Sequence, residues 1–243
     1  MTGCLFLEEE MDIQLHYQER GEGFPLILLH GNGEDGTYFH HQLEYFAREY
    51  RVIAVDSRGH GKSPRGSAPF TIRQFARDLK AFMDQKGIDR AHILGFSDGG
   101  NVALCFALAY PERVAKLILN GANLNARGVK TWVQLPVEIG YRMAGLFQQH
   151  SKKARKNWEI LGLMVNDPNI PKEDLSRVEA ETLIIAGTRD MIKERHTRRI
   201  AAGIAKSRLI FLEGDHFIAE KRPEPFNRAV ADFLRVENVS MKE

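Results

Sequence analysis

The sequence predicts an α/β fold: a mostly parallel central sheet with helices on both faces and a helical cap inserted between two of its strands. Three observations predict it. Short runs of Ile, Leu and Val recur with little polar alternation, amphipathic stretches of helical length separate them, and one long interval, residues 126–179, lacks any clear buried strand. Strands buried on both faces read as continuous apolar runs, and their alternation with helices implies parallel crossover connections.

Pro25–Leu29 (PLILL), Arg51–Val55 (RVIAV), Ala91–Leu94 (AHIL), Leu117–Leu119 (LIL), Thr182–Ile185 (TLII) and Arg208–Leu212 (RLIFL) are the candidate strands. Helical patterns fill the gaps at Tyr38–Glu49, Thr71–Lys86, Gly99–Tyr110, Glu194–Ile204 and Pro223–Val236, and Pro111 is a natural stop for the third. The division that follows is a core of residues 1–125 and 180–243 with a cap of residues 126–179. Within the cap, Val137–Gln149 and Trp158–Val165 read as helices and Asn166–Asn169 as a turn. The cap also carries Trp132, Tyr141, Met143, Leu146, Phe147 and Trp158, and groups that large need something to face. Trp132, Tyr141 and Phe147 are the expected substrate contacts.

At 243 residues the chain fits one large domain, and 43% hydrophobic residues suffice for a core. The 34 basic and 32 acidic residues interleave to a net charge of +2, which argues against a nucleic-acid binder with a concentrated basic face. The densest run, Lys152, Lys153, Arg155 and Lys156, reads as a solvated helix face. Cys4 and Cys105 fit neither a metal site nor a disulfide framework, so a reduced, cytoplasmic setting is expected, with Cys105 a buried small hydrophobe. No run is apolar for the ~18 residues of a membrane span, and the opening MTGCLFLEEEMD lacks the layout of a secretory signal. Asn238-Val239-Ser240 matches a glycosylation sequon, read as accidental in that setting.

The chemistry concentrates at Gly95-Phe96-Ser97-Asp98-Gly99-Gly100, between the AHIL strand and the helix after it. A serine on so tight a turn stands in a strained backbone conformation with its oxygen clear of the sheet. Glycines two residues to either side remove the Cβ atoms that would collide. The helix that follows points its N-terminus at the carbonyl under attack. A serine hydroxyl is a weak nucleophile and needs a base. Of nine histidines, His216 follows the last apolar strand, at the carboxyl edge where open parallel sheets place their sites. Asp190 ends Ala186-Gly187-Thr188-Arg189-Asp190 after the TLII strand, at the same edge, where it can hold the ring and stabilise its charge. Its rival, Asp215, is too near His216 in the chain to fold back on the ring. The expected roles are Ser97 as nucleophile, His216 as general base and Asp190 as orienting acid, with no metal or organic cofactor required. Gly61-Lys62-Ser63 imitates the end of a phosphate-binding loop. The glycine such a loop needs five positions earlier is Asp56, so nucleotide binding is not expected.

The chain order Ser, Asp, His is that of the α/β hydrolases, and the chain resembles that family in further motifs. Leu29-His30-Gly31-Asn32-Gly33 is similar to the family's oxyanion loop, and Asp56-Ser57-Arg58-Gly59-His60-Gly61-Lys62-Ser63 to its turn after the next strand. With GFSDGG, AGTRD and GDHF, the likeness runs in family order from about residue 25 onward. The resemblance implies an α/β-hydrolase fold and an oxyanion hole formed by the backbone N–H groups of Asn32 and Asp98. It also makes His30, Arg58 and His60 braces of loops. A serine at position 97 sets the chain apart from haloalkane dehalogenases, which carry an aspartate there.

The reaction so implied is hydrolysis of a small carboxylic ester through an acyl-enzyme. GFSDGG resembles the elbow of the valacyclovir hydrolase (biphenyl hydrolase-like) group, which cleaves amino-acid esters, and by that likeness Asp98 would pair with a substrate ammonium. An aspartate at a helix start equally serves as a cap, and both readings stand. A general carboxylesterase and a C–C bond hydrolase of diketones are the alternative enzymes. A non-catalytic ligand-binding protein on the same fold is the alternative of a different class. The expected partner is a small-molecule ester, with neither nucleic acid nor membrane, and the chain is expected as a monomer or homodimer.

Overall fold

The computed structural model describes residues 12–235. Cys4 and the sequon at Asn238 lie outside the described residues. The elements follow in chain order as β1 (Tyr17–Arg20), β2 (Pro25–Leu29), α1 (His40–Phe46), β3 (Arg51–Val55), α2 (Ile72–Gln85), β4 (Ala91–Phe96), α3 (Asp98–Ala109) and β5 (Val114–Asn120). Then come α4 (Thr131–Phe147), α5 (Lys152–Asn166), β6 (Glu181–Gly187), α6 (Glu194–Gly203), β7 (Ser207–Leu212), α7 (Ile218–Lys221) and α8 (Pro223–Arg235).

Among the described residues seven strands form one sheet, in the order β1-β3-β2-β4-β5-β6-β7. Neighbouring strands are parallel except for β1 against β3. The packing of β2 explains why the strands read as unbroken apolar runs. Leu26 and Leu28 enter one core with Phe39, Phe46, Phe226 and Val230, whereas Ile27 and Leu29 enter the other with Phe75, Leu79, Val102 and Phe106. Successive side chains of a strand point to opposite faces, so a strand covered on both sides has no polar face to show. Helices α2, α3 and α6 cover one face; α1, α7 and α8 cover the other.

Two elements depart from expectation at the front of the chain. β1 has the polar sequence YQER and is only half-buried at best, so it carries no apolar signal. Its ladder to β3, from Tyr17 opposite Val55 to Arg20 opposite Val52, holds it at the edge of the sheet. The helix expected over Tyr38–Glu49 is divided. Asp35 accepts from the Thr37 N–H at 2.9 Å and starts a tight turn over Gly36–Phe39 before α1 begins at His40.

The interval expected as a cap holds α4 and α5, which pack antiparallel: Gly145 lies against Trp158 and Gly140 against Leu161. Helix α4 begins at Thr131 rather than Val137 and runs through Pro136. A proline this close to a helix start removes one backbone bond, and the carbonyl it would clash with and leave free belongs to Trp132, on the exposed side where solvent can serve it. Helix α5 begins at Lys152, capped by the Ser151 hydroxyl, six residues before the expected start. Lys152, Lys153, Arg155 and Lys156 lie exposed on its first turns.

One topological feature places the site. β2 and β4 are neighbours, yet the chain leaves β2 toward β3 on one side and returns to β4 on the other. Their connections part at this point and open a crevice beyond the carboxyl ends of the strands, where open α/β sheets bind ligands.

Candidate active site

Ser97 follows β4 at that crevice. Its φ of 53° and ψ of −119° lie in a region that residues with side chains seldom occupy. The surroundings hold it there: the Ser97 N–H donates to the Asn120 carbonyl of β5 at 2.8 Å, and the Ser97 carbonyl accepts from the Asn101 N–H of α3 at 3.0 Å. A Cβ on Gly95 would lie 2.2 Å from the Gly99 oxygen, and one on Gly99 would lie 2.0 Å from the Leu29 oxygen. Both glycines are therefore required by close backbone approach.

His216 comes from the loop after β7, and its Nε2 lies 3.0 Å from Ser97 Oγ. Its Nδ1 lies 2.7 Å from Asp190 Oδ1, and both residues are buried. The same Asp190 oxygen accepts from the Ile192 N–H at 2.8 Å, which fixes the carboxylate. With Asp190 ionised, Nδ1 is the donor and Nε2 is left to accept the serine proton. The ring lies on Phe96, with centroids 4.8 Å apart, and against Gly121, where a Cβ would come within 2.7 Å of it. Asp215 is engaged elsewhere: it accepts from the Phe217 N–H and from Lys221 Nζ.

Asp98 opens α3, where its N–H has no partner within the helix. Its side chain does not cap the helix. Oδ1 accepts from Asn101 Nδ2 at 3.0 Å, and Asn101 also donates to Asn123 Oδ1 at 3.1 Å, while Asp98 Oδ2 is buried without a protein partner. Burial raises the Asp98 carboxyl to about 6, against the opposing bond from Asn101. Asp98, Asn32, His30, Gly99 and Leu163 of α5 line a small cavity of about 10 Å³, room for no more than one water. The Asn32 side chain crosses to the cap and donates to the Ile160 carbonyl at 2.8 Å. Among the described residues no group of three or more His, Cys, Asp and Glu side chains is placed to hold a metal ion.

Residues 25–159 match the sequence profile of the α/β hydrolase fold. The chain belongs to that family. The 2-hydroxy-6-oxononadienedioate/2-hydroxy-6-oxononatrienedioate hydrolase 2 of Pseudomonas putida is 31% identical to this α/β hydrolase, over 94% of each chain. The 2-hydroxy-6-oxo-6-phenylhexa-2,4-dienoate hydrolase of Comamonas testosteroni is 30% identical over 92% of each. A solved meta-cleavage product hydrolase from Pseudomonas fluorescens IP01 is 26% identical, with a TM-score of 0.75 over 93% of this chain and 96% of that one. These relatives lie outside the valacyclovir hydrolase group, which the elbow sequence alone resembles.

This α/β hydrolase brings Ser97, His216 and Asp190 together and sets Asn32 and Asp98 beside them. It does not bring in the three aromatic residues expected to touch substrate. Trp132 is 71% exposed, and Phe147 is also on the outer side of α4. Tyr141 stacks on Trp158 at 5.7 Å, and its hydroxyl takes a bond from Asn166. The reason is that α4 turns its inner face to α5, and it is α5 that supplies Leu163 beside Asp98. Three further residues shape the site and were not singled out by sequence. Glu34 accepts from the Gly31 N–H at 3.1 Å, and burial lifts its carboxyl to about 7. Asn101 holds Asp98 and is itself held by Asn123. Only Glu34, four residues after His30, carried a positional signal.

The loops beneath the site are braced as the family resemblance implies. His30 Nδ1 donates to the Gly31 carbonyl at 2.7 Å while its Nε2 accepts from the Ser57 N–H at 3.0 Å, and burial lowers its pKa to about 4. A neutral ring with both nitrogens engaged is a strut. Arg58 is buried between Asp12 and Asp78, and His60 Nδ1 bonds the Arg58 carbonyl. Cys105 is buried, and its thiol is pushed up to about 12 by burial. Among the described residues no helix is long and apolar enough to cross a membrane.

Proposed function

We propose that this α/β hydrolase cleaves a carbon–carbon bond in a 2-hydroxy-6-oxo-dienoic acid, with Ser97, His216 and Asp190 as its catalytic triad. The observation that carries the reading is the identity of 30–31% over more than nine-tenths of both chains with two hydrolases named for such substrates. The chemistry is consistent with the site. Ser97 Oγ attacks the 6-oxo carbon as His216 Nε2 takes its proton, and the N–H groups of Asn32 and Asp98 receive the developing oxyanion. The bond to the neighbouring carbon then breaks. Once the dienol has ketonised, the electron pair left on that carbon is delocalised into the 2-oxo group, and a proton from His216 completes the first product. Water, activated by the same histidine, releases the acid from Ser97. The overall balance is one water consumed per bond broken.

The raised proton affinity of Asp98 suits an anionic substrate. An approaching carboxylate favours the protonated form further, so Asp98 would meet it as a neutral O–H donor. The second reading is an esterase for small carboxylic esters, amino-acid esters among them. The unpartnered, buried Oδ2 of Asp98 favours it, because that oxygen in its charged form would accept a substrate ammonium.

One panel separates the two. The purified chain is given 2-hydroxy-6-oxo-6-phenylhexa-2,4-dienoate, p-nitrophenyl acetate, butyrate and octanoate, and alanine and phenylalanine esters. Ser97→Ala is the control, with an expected loss of roughly 10⁶ in kcat and of fluorophosphonate labelling. Dominant turnover of the dienoate, retained in Asp98→Asn, supports the C–C reading. Preference for amino-acid esters, lost in Asp98→Asn, replaces it with the aminoacyl esterase, and preference for a neutral acyl chain with a general carboxylesterase. Binding of the dienoate with no turnover and no labelling would return a non-catalytic binding protein.

A further inference from the structure

Helix α4 turns an apolar stripe to solvent. Trp132, Leu135, Ile139, Met143, Leu146 and Phe147 are each more than half exposed. The other face of the helix is occupied, with Gly140, Tyr141 and Gly145 against Leu161 and Trp158 of α5. The remaining exposed positions of α4 are Thr131, Pro136 and Arg142, so one charge interrupts the face. A contiguous apolar patch beyond a few hundred Å² marks an interaction surface.

The stripe has an internal symmetry. From Trp132 to Leu146 its steps are three, four, four and three residues, centred on Ile139. A pattern that reads the same in both directions is complementary to a second copy of itself laid antiparallel across it. Ile139 then meets Ile139, Leu135 meets Met143, and Trp132 meets Leu146. Two-fold dimers are built on this kind of self-complementary patch. In that register Arg142 faces Pro136 of the other copy, so the two arginines do not meet. The exposed fractions of these side chains amount to roughly 700 Å² per copy, taking ~150–250 Å² for each large side chain. A standard stable interface takes about 800 Å² from each partner.

We propose that α4 is a homodimer interface, two copies of this chain packing antiparallel through the stripe centred on Ile139. The full chain is expected to run at twice its chain mass in size-exclusion chromatography with light scattering at about 100 μM, well above the micromolar or lower dissociation constants of standard-size interfaces. Ile139→Glu places like charges on the two-fold axis and is expected to weaken association by roughly 100-fold or more. Because Ile139 is already exposed, the variant should keep its far-ultraviolet circular dichroism and its melting temperature. Oxidised Ile139→Cys is expected to give a covalent dimer. Trp132→Cys should cross-link when mixed with Leu146→Cys but not alone, which tests the antiparallel direction. A monomeric wild-type chain at that concentration, or an undiminished dimer in Ile139→Glu, overturns the proposal. So does a monomer that co-sediments with anionic phospholipid vesicles through this stripe, which would assign the face to a lipid surface.

Discussion

From Leu26 to Leu29 in β2 and throughout β4 every residue is buried. In α4 only Gln134 is buried, and in α5 only Leu163. The two regions meet at the site, and the contrast separates what is tightly held there from what is loosely held. Ser97, His216 and Asp190 stand at strand ends gripped by both cores, which is how reacting groups are kept within a fraction of an ångström of working geometry. The cap reaches the same site through a few contacts. Among them are Leu163 in the small cavity, the bond from Asn32 to Ile160, and the bidentate pair of Arg65 with Glu159. Leu163 leaves only about 10 Å³ beside Asp98, so a substrate group that reaches Asp98 would need the cap to shift. Mobile lids are drawn from the weakly held parts of a fold.

The same substitution in both regions gives the widest separation. Gly99→Ala puts a Cβ 2.0 Å from the Leu29 oxygen, and that oxygen belongs to the backbone of β2, which cannot yield. The expected loss exceeds about 3 kcal/mol. Gly140→Ala meets only Leu161 Cδ1, at 3.2 Å, the far end of a flexible side chain. Alanine in a helix interior also gains up to ~1 kcal/mol over glycine, so the net change should stay within about 1 kcal/mol of zero. Urea unfolding of both variants measures the difference. Equal losses would mean that the cap is packed as tightly as the sheet, and the contrast between the regions would fail.

The same contrast decides what could be read from the sequence. The strands of the sheet interior are legible because burial on both faces leaves one composition, as in PLILL and RVIAV. Ser97, His216 and Asp190 are legible because each stands in a short motif that follows a strand. The polar β1 carries no such signal, since an edge strand is held by its ladder. The direction in which Trp132 and Phe147 point was also out of reach. Periodicity shows that α4 has an apolar face but not whether that face meets the core, and Pro136 hid the first turns of the helix. The bond from Asn101 to Asp98 was missed because the buried asparagine sits in an otherwise apolar helix, where nothing nearby in sequence marks its partner Asn123.

Asp98 offers the next effect in size, and it belongs to the rigid side. Its carboxyl titrates near 6 in the folded chain, against about 3.9 when unfolded. Between these values the native state holds the extra proton, so stability falls as pH rises through the window. Above about pH 6 the full cost is present. Asp98→Asn removes that cost and still offers an acceptor to Asn101. The variant should be more stable than the parent at pH 8 by on the order of 2–3 kcal/mol, with the gain vanishing below about pH 4. Thermal unfolding across pH 4–8 reads it. A gain that does not change with pH would place its origin in packing and remove the electrostatic account of this carboxyl.

The smallest expected effect lies in the cap and is one of dynamics more than stability. Arg65 Nη2 and Nε bond the Glu159 carboxylate at 2.9 and 3.1 Å, with Arg65 one-third exposed. A partly exposed pair of this kind contributes at most about 1 kcal/mol. Arg65→Ala should therefore leave the global unfolding midpoint within a few degrees of the parent. It should nonetheless speed amide hydrogen exchange in α5 while leaving α3 and β4 unchanged, because α5 loses a tether and the other contacts of Arg65, with the Ala68 carbonyl and the Phe70 ring, lie in the loop before α2. The same variant should alter KM for a bulky substrate more than kcat, since substrate entry rather than proton transfer depends on the cap. If exchange rises equally in α5 and α3, cap and core open as one unit, and entry must be sought through the whole fold rather than through a lid.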